Sequence, residues 1–186
     1  MANIDRRTLL YAFGMASVSP LLAQTAGRGK VAATRPGENR FAFSTAAELK
    51  RTQCKVSSED SGGPCSAFVL NEPPRSGPFL HVHHREDEWY YVLSGEFLFK
   101  AGSEEHTLPP GGSIWLPRDI PHAYANTTTT EGKLILVCQP GGFEKFFDDL
   151  AKLPDEMNAT QMKVVMAKYG MELLGPPLLS SSKKQH

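Results

Sequence analysis

Between Phe41 and Gln139 the apolar residues come at alternate positions in short runs, each closed by turn-forming residues. A period of two sends successive side chains to opposite faces of an extended strand. Pro73-Pro74, Gly77-Pro78, Gly95, Gly102, Pro109-Pro110-Gly111-Gly112 and Gly132 supply the breaks. No stretch within this span keeps a helical period. The pattern predicts an all-β domain, an antiparallel barrel or jelly roll over 41–140. Leu134 to Cys138 is continuously apolar and predicts a strand buried on both faces. After Pro140-Gly141-Gly142 the period changes. Phe143, Phe146, Phe147 and Leu150 share one helical face, and Glu144, Lys145, Asp148 and Asp149 fall on the other. A second helix fits Asn158 as N-cap with Gln161 three residues on, then Met162, Val165, Met166 and Tyr169 as its stripe and Gly170 at its end. These C-terminal helices, within 141–179, read as cover for the core rather than as a binding wall. Gly175 to Leu179 reads as extended and 180–186 as a disordered tail.

At 186 residues the chain suits one domain with a sizeable core. Twenty basic and twenty acidic residues give zero net charge. With no basic patch interleaved with aromatics, nucleic acid is not expected as a partner. The N-terminus differs in kind. Arg6-Arg7 precede a moderately apolar run from Leu9 to Ala23, which is too short for a stable membrane span. The paired arginines resemble a bacterial twin-arginine export signal, with Asp5, Leu9 and Tyr11 departing from that pattern. The resemblance implies a removed signal peptide over 1–26, a linker over 27–40 and a periplasmic or secreted protein. An oxidising compartment would allow a disulfide between Cys54 and Cys65 if they face each other across a hairpin centred on Glu59-Asp60. Cys138 reads as a small buried apolar residue.

Candidate chemistry lies in one stretch. His81 and His83 share a strand face, Glu88 follows after one tight connection, and His122 comes from a later segment. Three imidazoles and one carboxylate suit one divalent transition metal: Fe, Mn, Ni, Co, Cu or Zn. Alternation puts Phe79 in phase with the first two histidines, Tyr90 and Val92 with Glu88, and Tyr124 and Asn126 with His122. These five are the expected substrate pocket, with Phe97, Phe99 and Trp115 as further candidates, and the aromatic content suits a small, flat, apolar substrate. Trp89, Tyr91 and Leu93 face the other way and need cover from the terminal helices or a second subunit. His84 and His106 fall outside the pattern and read as surface residues.

His81-x-His83, four residues, Glu88, six residues and Gly95 resemble the first motif of the cupin superfamily. Gly111, five residues, Pro117, then His122 and Asn126 resemble the second. Two positions depart: Arg75 stands where the first motif begins with glycine, and Asp119 at the inner glycine of the second. The run PGGFEKFFDDL, its following helix and YGMELLGPPL are similar to the C-terminal extension of small bacterial cupins of the quercetin 2,3-dioxygenase-like kind. The resemblance implies a homodimer, metal ligation by His81, His83, Glu88 and His122, and Glu88 as general base. It also implies cleavage of a flavonol or β-diketone-type enol with O2. The same cage serves non-catalytic binding proteins and non-redox isomerases or cyclases, and fold does not choose among them.

Overall fold

The computed structural model describes residues 29–40, 51–153 and 158–179. The expected signal segment, the start of the barrel at 41–50 and the tail at 180–186 lie outside them. The elements run β1 (Thr52–Val56), α1 (Ser58–Ser61), β2 (Ser66–Glu72), β3 (Phe79–His83) and β4 (Asp87–Ser94). Then come β5 (Phe97–Ala101), β6 (Glu104–Leu108), β7 (Ser113–Leu116), β8 (His122–Asn126) and β9 (Gly132–Gln139). The chain ends with α2 (Glu144–Leu150), α3 (Ala159–Lys168) and β10 (Met171–Pro177). Among the described residues two five-stranded sheets result, β1-β2-β9-β4-β7 and β10-β3-β8-β5-β6. The fold is an antiparallel jelly roll with C-terminal helices, one of the two architectures that the alternation allows and the one that the motif resemblance implies. No helix of the described residues is long and apolar enough to cross a membrane.

Alternation decides what fills the barrel. Phe68 and Leu70 of β2, Phe97 and Phe99 of β5, and Leu134 and Leu136 of β9 meet in one buried core. Gly77 lets the chain enter β3 against β8, because a Cβ there would stand 2.0 Å from the Tyr124 carbonyl oxygen. Arg75 and Asp119, the two departures from the motifs, are the non-glycine residues with positive φ among the described residues, at 57° and 65°. Both turns therefore keep the left-handed conformation that glycine would supply, at some steric cost to a residue with a Cβ. The Asp119 backbone N–H donates to the His83 carbonyl at 2.7 Å, which ties the turn before β8 to the end of β3.

Four expectations change. Residues 58–61 form a helical turn capped by Ser57, not a hairpin tip, and Cys54 sits opposite Phe68 across β1 and β2. Cys54 and Cys65 are free thiols. Strand β9 is buried on one face only: Leu134, Leu136 and Cys138 point inward, while Ile135 and Val137 are half-buried on the outer face. Trp115 belongs to that outer face and is 50% exposed, so it takes no part in the interior. The C-terminal segment does not merely trail away after the helices. From Met171 it pairs antiparallel with β3, Met171 opposite His83.

The capping box of Asn158 and Gln161 forms as expected, with N···O distances of 3.0 Å in both directions. Helix α2 is fastened by buried Glu144. Its carboxylate accepts from Ser58 N and Oγ at 3.0 and 2.5 Å, from Gly142 N at 3.1 Å, and from Ser66 Oγ. A buried carboxylate is tolerated only with its acceptor positions filled. This one fixes the phenylalanines of α2 against the barrel.

Candidate metal centre

The two sheets bring their ligand-type residues together across the barrel interior. His81 pairs with His122 between β3 and β8, while Glu88 projects from β4 in the opposite sheet, where its neighbours are Cys138 and Leu116. His81, His83, Glu88 and His122 each offer one donor atom, and these atoms lie within 4.8 Å of one another. All four residues are buried. The imidazole centroids stand 4.6 to 5.6 Å apart, with the His83 and His122 rings nearly parallel.

The hydrogen bonds around the rings orient them. His81 Nδ1 donates to the Phe79 carbonyl at 2.7 Å and His122 Nδ1 to the Ile120 carbonyl at 2.8 Å. His83 Nδ1 lies 3.4 Å from Glu86 Oε2. With Nδ1 turned to an acceptor, the Nε2 lone pair faces the centre of the cage. Nε2 of His83 and of His122 are buried and lack a hydrogen-bond partner. His122 Nε2 does approach Glu88 Oε2 to 2.9 Å, but the contact lacks hydrogen-bond geometry and is an electrostatic one. Orphaned buried nitrogens converging on a carboxylate are what a divalent cation would satisfy, so the donor set fits a metal.

Burial and mutual contact set the charges. Burial pulls His81 down to about 3, reinforced by His122 and His83, so this imidazole is neutral and able to ligate. Burial acts to raise Glu88, but attraction to His83 and His122 prevails and the carboxyl is lowered to about 2. Glu88 is therefore ionised at neutral pH. His122 is raised, because contact with Glu88 outweighs burial; its proton must leave before Nε2 can ligate. The Tyr90 hydroxyl donates to Glu88 Oε2 at 3.2 Å, and the Cys138 thiol lies 3.9 Å from Oε1. Burial first and Glu88 second push both groups well above their ordinary values, which keeps them protonated.

A cavity of about 250 Å³ opens on the cage. Of the expected pocket residues, Phe79, Tyr90 and Tyr124 line it; Val92 and Asn126 do not. Val92 is packed in the core. The Asn126 amide donates to the carbonyls of Glu72, Pro73 and Thr130 at 2.8 to 3.1 Å, and its Oδ1 accepts from Thr128, so it organises a turn. Phe97 and Phe99 are likewise core residues outside the cavity. The helical stripes expected only as cover are part of the wall: Phe143, Phe146, Phe147, Leu150, Met162 and Met166 line it. Phe143 reaches the cage, its ring centroid 5.0 Å from that of His83. One polar lining residue, Glu72, was not singled out from the sequence. The signal was present, since Ser66, Phe68, Leu70 and Glu72 all fall on the inward phase of β2. His84 and His106 are exposed and pair with Asp119 and Glu104, away from the cage.

Residues 68–138 match the family model described as Cupin domain. Curated relatives include an uncharacterized protein of Methanocaldococcus jannaschii, 29% identical over 37% of this chain and 54% of its own length. Protein SchB of Streptomyces halstedii is 28% identical over 43% of this chain and 59% of its own. The chain thus spans between half and three-fifths of the curated relatives it matches. Among solved structures, KdgF from Halomonas sp. is 18% identical with a TM-score of 0.46, covering 50% of this chain and 81% of that one. A Thermotoga maritima protein described as a predicted oxalate decarboxylase is 24% identical with a TM-score of 0.46, covering 48% and 78%. A sugar phosphate isomerase from Silicibacter pomeroyi is 18% identical with a TM-score of 0.42, covering 55% and 69%. The matched segment contains His81, His83, Glu88 and His122 on a jelly-roll scaffold, and residues 68–138 are accordingly similar to the cupin domain.

Proposed function

We propose that the protein is a metal-dependent dioxygenase that cleaves a flavonol or β-diketone-type enol with O2. The observation that carries this reading is an aromatic and aliphatic cavity opening directly on the three-histidine, one-glutamate cage. His81, His83, His122 and Glu88 would hold one divalent transition metal, whose identity the donor set leaves among Fe, Mn, Ni, Co, Cu and Zn. When bound, the ion would supply electron-transfer and Lewis-acid chemistry for the enol and O2. Glu88, ionised and hydrogen-bonded by Tyr90, takes the enol proton. Tyr90 and the orienting contacts at Nδ1 keep the carboxylate and imidazoles in place while that proton moves. Phe79, Phe143 and Phe146 exclude water and hold a flat substrate body. The test is anaerobic loading of metal-reconstituted protein with a panel of such enols, followed by admission of O2. Uptake of one O2 per enol consumed supports the reading. Binding without uptake would favour a binding protein, and isomerised enol without uptake a non-redox enzyme.

A homodimer is part of the proposal. Val137, Trp89 and Trp115 form one row across β9, β4 and β7, and Ile135 and Tyr91 form the next. All face outward, with Trp115 50% and neighbouring Leu93 44% exposed. α2 and α3 lie instead against the cavity. A flat apolar face of this kind suits an isologous contact with a second copy. Trp115→Glu is expected to convert dimer to monomer in sedimentation velocity without loss of the folded spectrum. An unchanged sedimentation coefficient would place the contact elsewhere, and a monomeric wild type would remove it.

Export is proposed on Arg6-Arg7 and the apolar run after them, which lie outside the described residues. Arg6→Lys with Arg7→Lys is expected to leave uncleaved precursor in the cytoplasm, because the arginine pair is read by a receptor. Undiminished protein in the periplasmic fraction would rule out this route.

A further inference from the structure

His83 stands apart from the other two imidazoles of the cage in what holds its ring. The Nδ1 atoms of His81 and His122 each meet the carbonyl of the residue two positions earlier, Phe79 and Ile120. Those acceptors are neutral and belong to the backbone. His83 Nδ1 faces a carboxylate instead, Glu86 Oε2 at 3.4 Å. Glu86 lies in the turn between β3 and β4 and is only 8% exposed, a costly place for a charged side chain. Arg118, near enough to feel its charge, is committed to Asp87, with nitrogen–oxygen distances of 3.1 and 2.7 Å. Among the described residues the Glu86 carboxylate has no hydrogen-bond partner besides His83.

The other contacts of the ring leave Nδ1 to Glu86. Phe143 packs against it with centroids 5.0 Å apart, and the His122 ring stacks nearly parallel at 5.6 Å. These contacts set the plane of the imidazole but not which edge faces the cage. The contact with Glu86 sets the edge, because it turns the orphaned Nε2 inward. Charge adds a second effect. An imidazole that gives its Nε2 lone pair to a cation becomes a more positive Nδ1–H donor, so a carboxylate holds it more strongly than the empty ring. In turn, the pull on the Nδ1 hydrogen leaves more electron density in the ring and makes Nε2 a better donor to the ion. Around a divalent ion the Glu88 carboxylate cancels one positive charge. Glu86 supplies a second negative charge beside the cage, where burial leaves it poorly screened.

We propose that Glu86 is a positioning residue of the metal centre, accepting the Nδ1 hydrogen of His83 and strengthening that one imidazole as a ligand. His81 and His122 are oriented by backbone carbonyls, and His83 by a side chain that substitution can alter. The cage is therefore unequal, and its grip on the ion depends on a residue outside the ligand set. The inference rests on the four-residue cage binding a divalent ion and is independent of the substrate and of the dioxygenase reaction.

The experiment uses the metal-free full chain and Co2+ as the probe, with chelator competition for affinity and proton magnetic resonance for the rings. In water the loaded wild type is expected to show three exchangeable, strongly shifted Nδ1–H resonances, one for each imidazole that ligates the paramagnetic ion. Glu86→Gln keeps the side-chain length and an acceptor oxygen but loses the charge. Its Kd for Co2+ is expected to rise about tenfold, the lower end of what altering such an outer partner costs. One of the three resonances is expected to move while the other two stay, with circular dichroism reporting an unchanged fold. Glu86→Asp keeps the charge but shortens its reach, and is expected to move the same resonance. A merely structural role for Glu86 would leave the resonances in place. An unchanged Kd in Glu86→Gln overturns the role of Glu86 and leaves the cage standing. Weaker binding with all three resonances unmoved also overturns it, since the charge would then act on the ion without the ring. Failure of the wild type to bind Co2+ overturns this inference and the cage together.

Discussion

His83→Ala is expected to abolish metal retention and, with it, the stabilisation that the ion gives the fold. Wild-type protein should carry about one divalent ion per chain after gel filtration, as a four-residue cage of this type holds one. A ligand present at a thousandfold its Kd adds about 4 kcal/mol to stability. For a protein of 150–250 residues each kcal/mol moves the melting temperature by about 2–4 °C, so chelation should lower wild-type Tm by about 8–16 °C. His83 lies at the centre of this effect. It is 1% exposed, its Nε2 has no hydrogen-bond partner, and that atom lies 3.5 Å from Glu88 Oε1. The alanine variant should contain less than about a tenth of the metal and melt at the same temperature with and without chelator. Removing the ring also leaves a void beside Phe143, which by itself costs about 2–4 kcal/mol. His83→Gln separates the two effects, because it fills most of the space while removing the imidazole. Full occupancy in either variant would overturn the four-ligand cage. A wild type whose Tm ignores chelator would overturn its coupling to stability.

The cage was legible in the sequence because its information is local. His81, His83 and Glu88 sit on two consecutive strands joined by a short turn, and a period of two fixes which side each one faces. His122 is far in sequence, yet the glycine-and-proline frame before it marks a turn that survives the change to Asp119. What was not legible depended on partners distant along the chain. The stripes of α2 and α3 reveal which helical face is apolar, not what it covers, so the lining of the cavity by Phe146 and Met166 could not be told from ordinary packing. Strand β10 contains Gly175, Pro176 and Pro177, residues that argue against a strand, and its pairing with β3 is a tertiary choice. Cys54 and Cys65 looked like hairpin partners only while 58–61 was read as a tip; the helical turn there puts Phe68 opposite Cys54. Pocket membership followed phase for Phe79, Tyr90 and Tyr124 and failed for Val92 and Asn126. Phase gives the side of a strand, whereas depth along the barrel decides whether that side is cavity or packed core.

Glu88→Gln is expected to reduce turnover far more than it reduces metal content. If Glu88 serves only as a ligand, activity and occupancy should fall together, since an amide oxygen is a weaker donor than a carboxylate. If it also takes the enol proton, the rate per bound metal should fall by a further 10²–10⁴-fold, roughly the contribution of a general base. The geometry gives the substitution a clean reading. Glutamine keeps the length of the side chain, and its amide oxygen can still accept from the Tyr90 hydroxyl that lies 3.2 Å from Oε2. It lacks the negative charge whose attraction to His83 and His122, winning over burial, lowers the Glu88 carboxyl to about 2. Loss of that charge also removes the attraction that raises His122, so the variant's imidazole loses its proton more easily, which favours ligation. The decline in occupancy is therefore expected to stay within about tenfold, on the scale of one altered ligand contact. Oxygen uptake with flavonol and β-diketone substrates, divided by metal measured in the same sample, separates the two roles. Equal normalised rates for wild type and variant would leave Glu88 as a ligand alone.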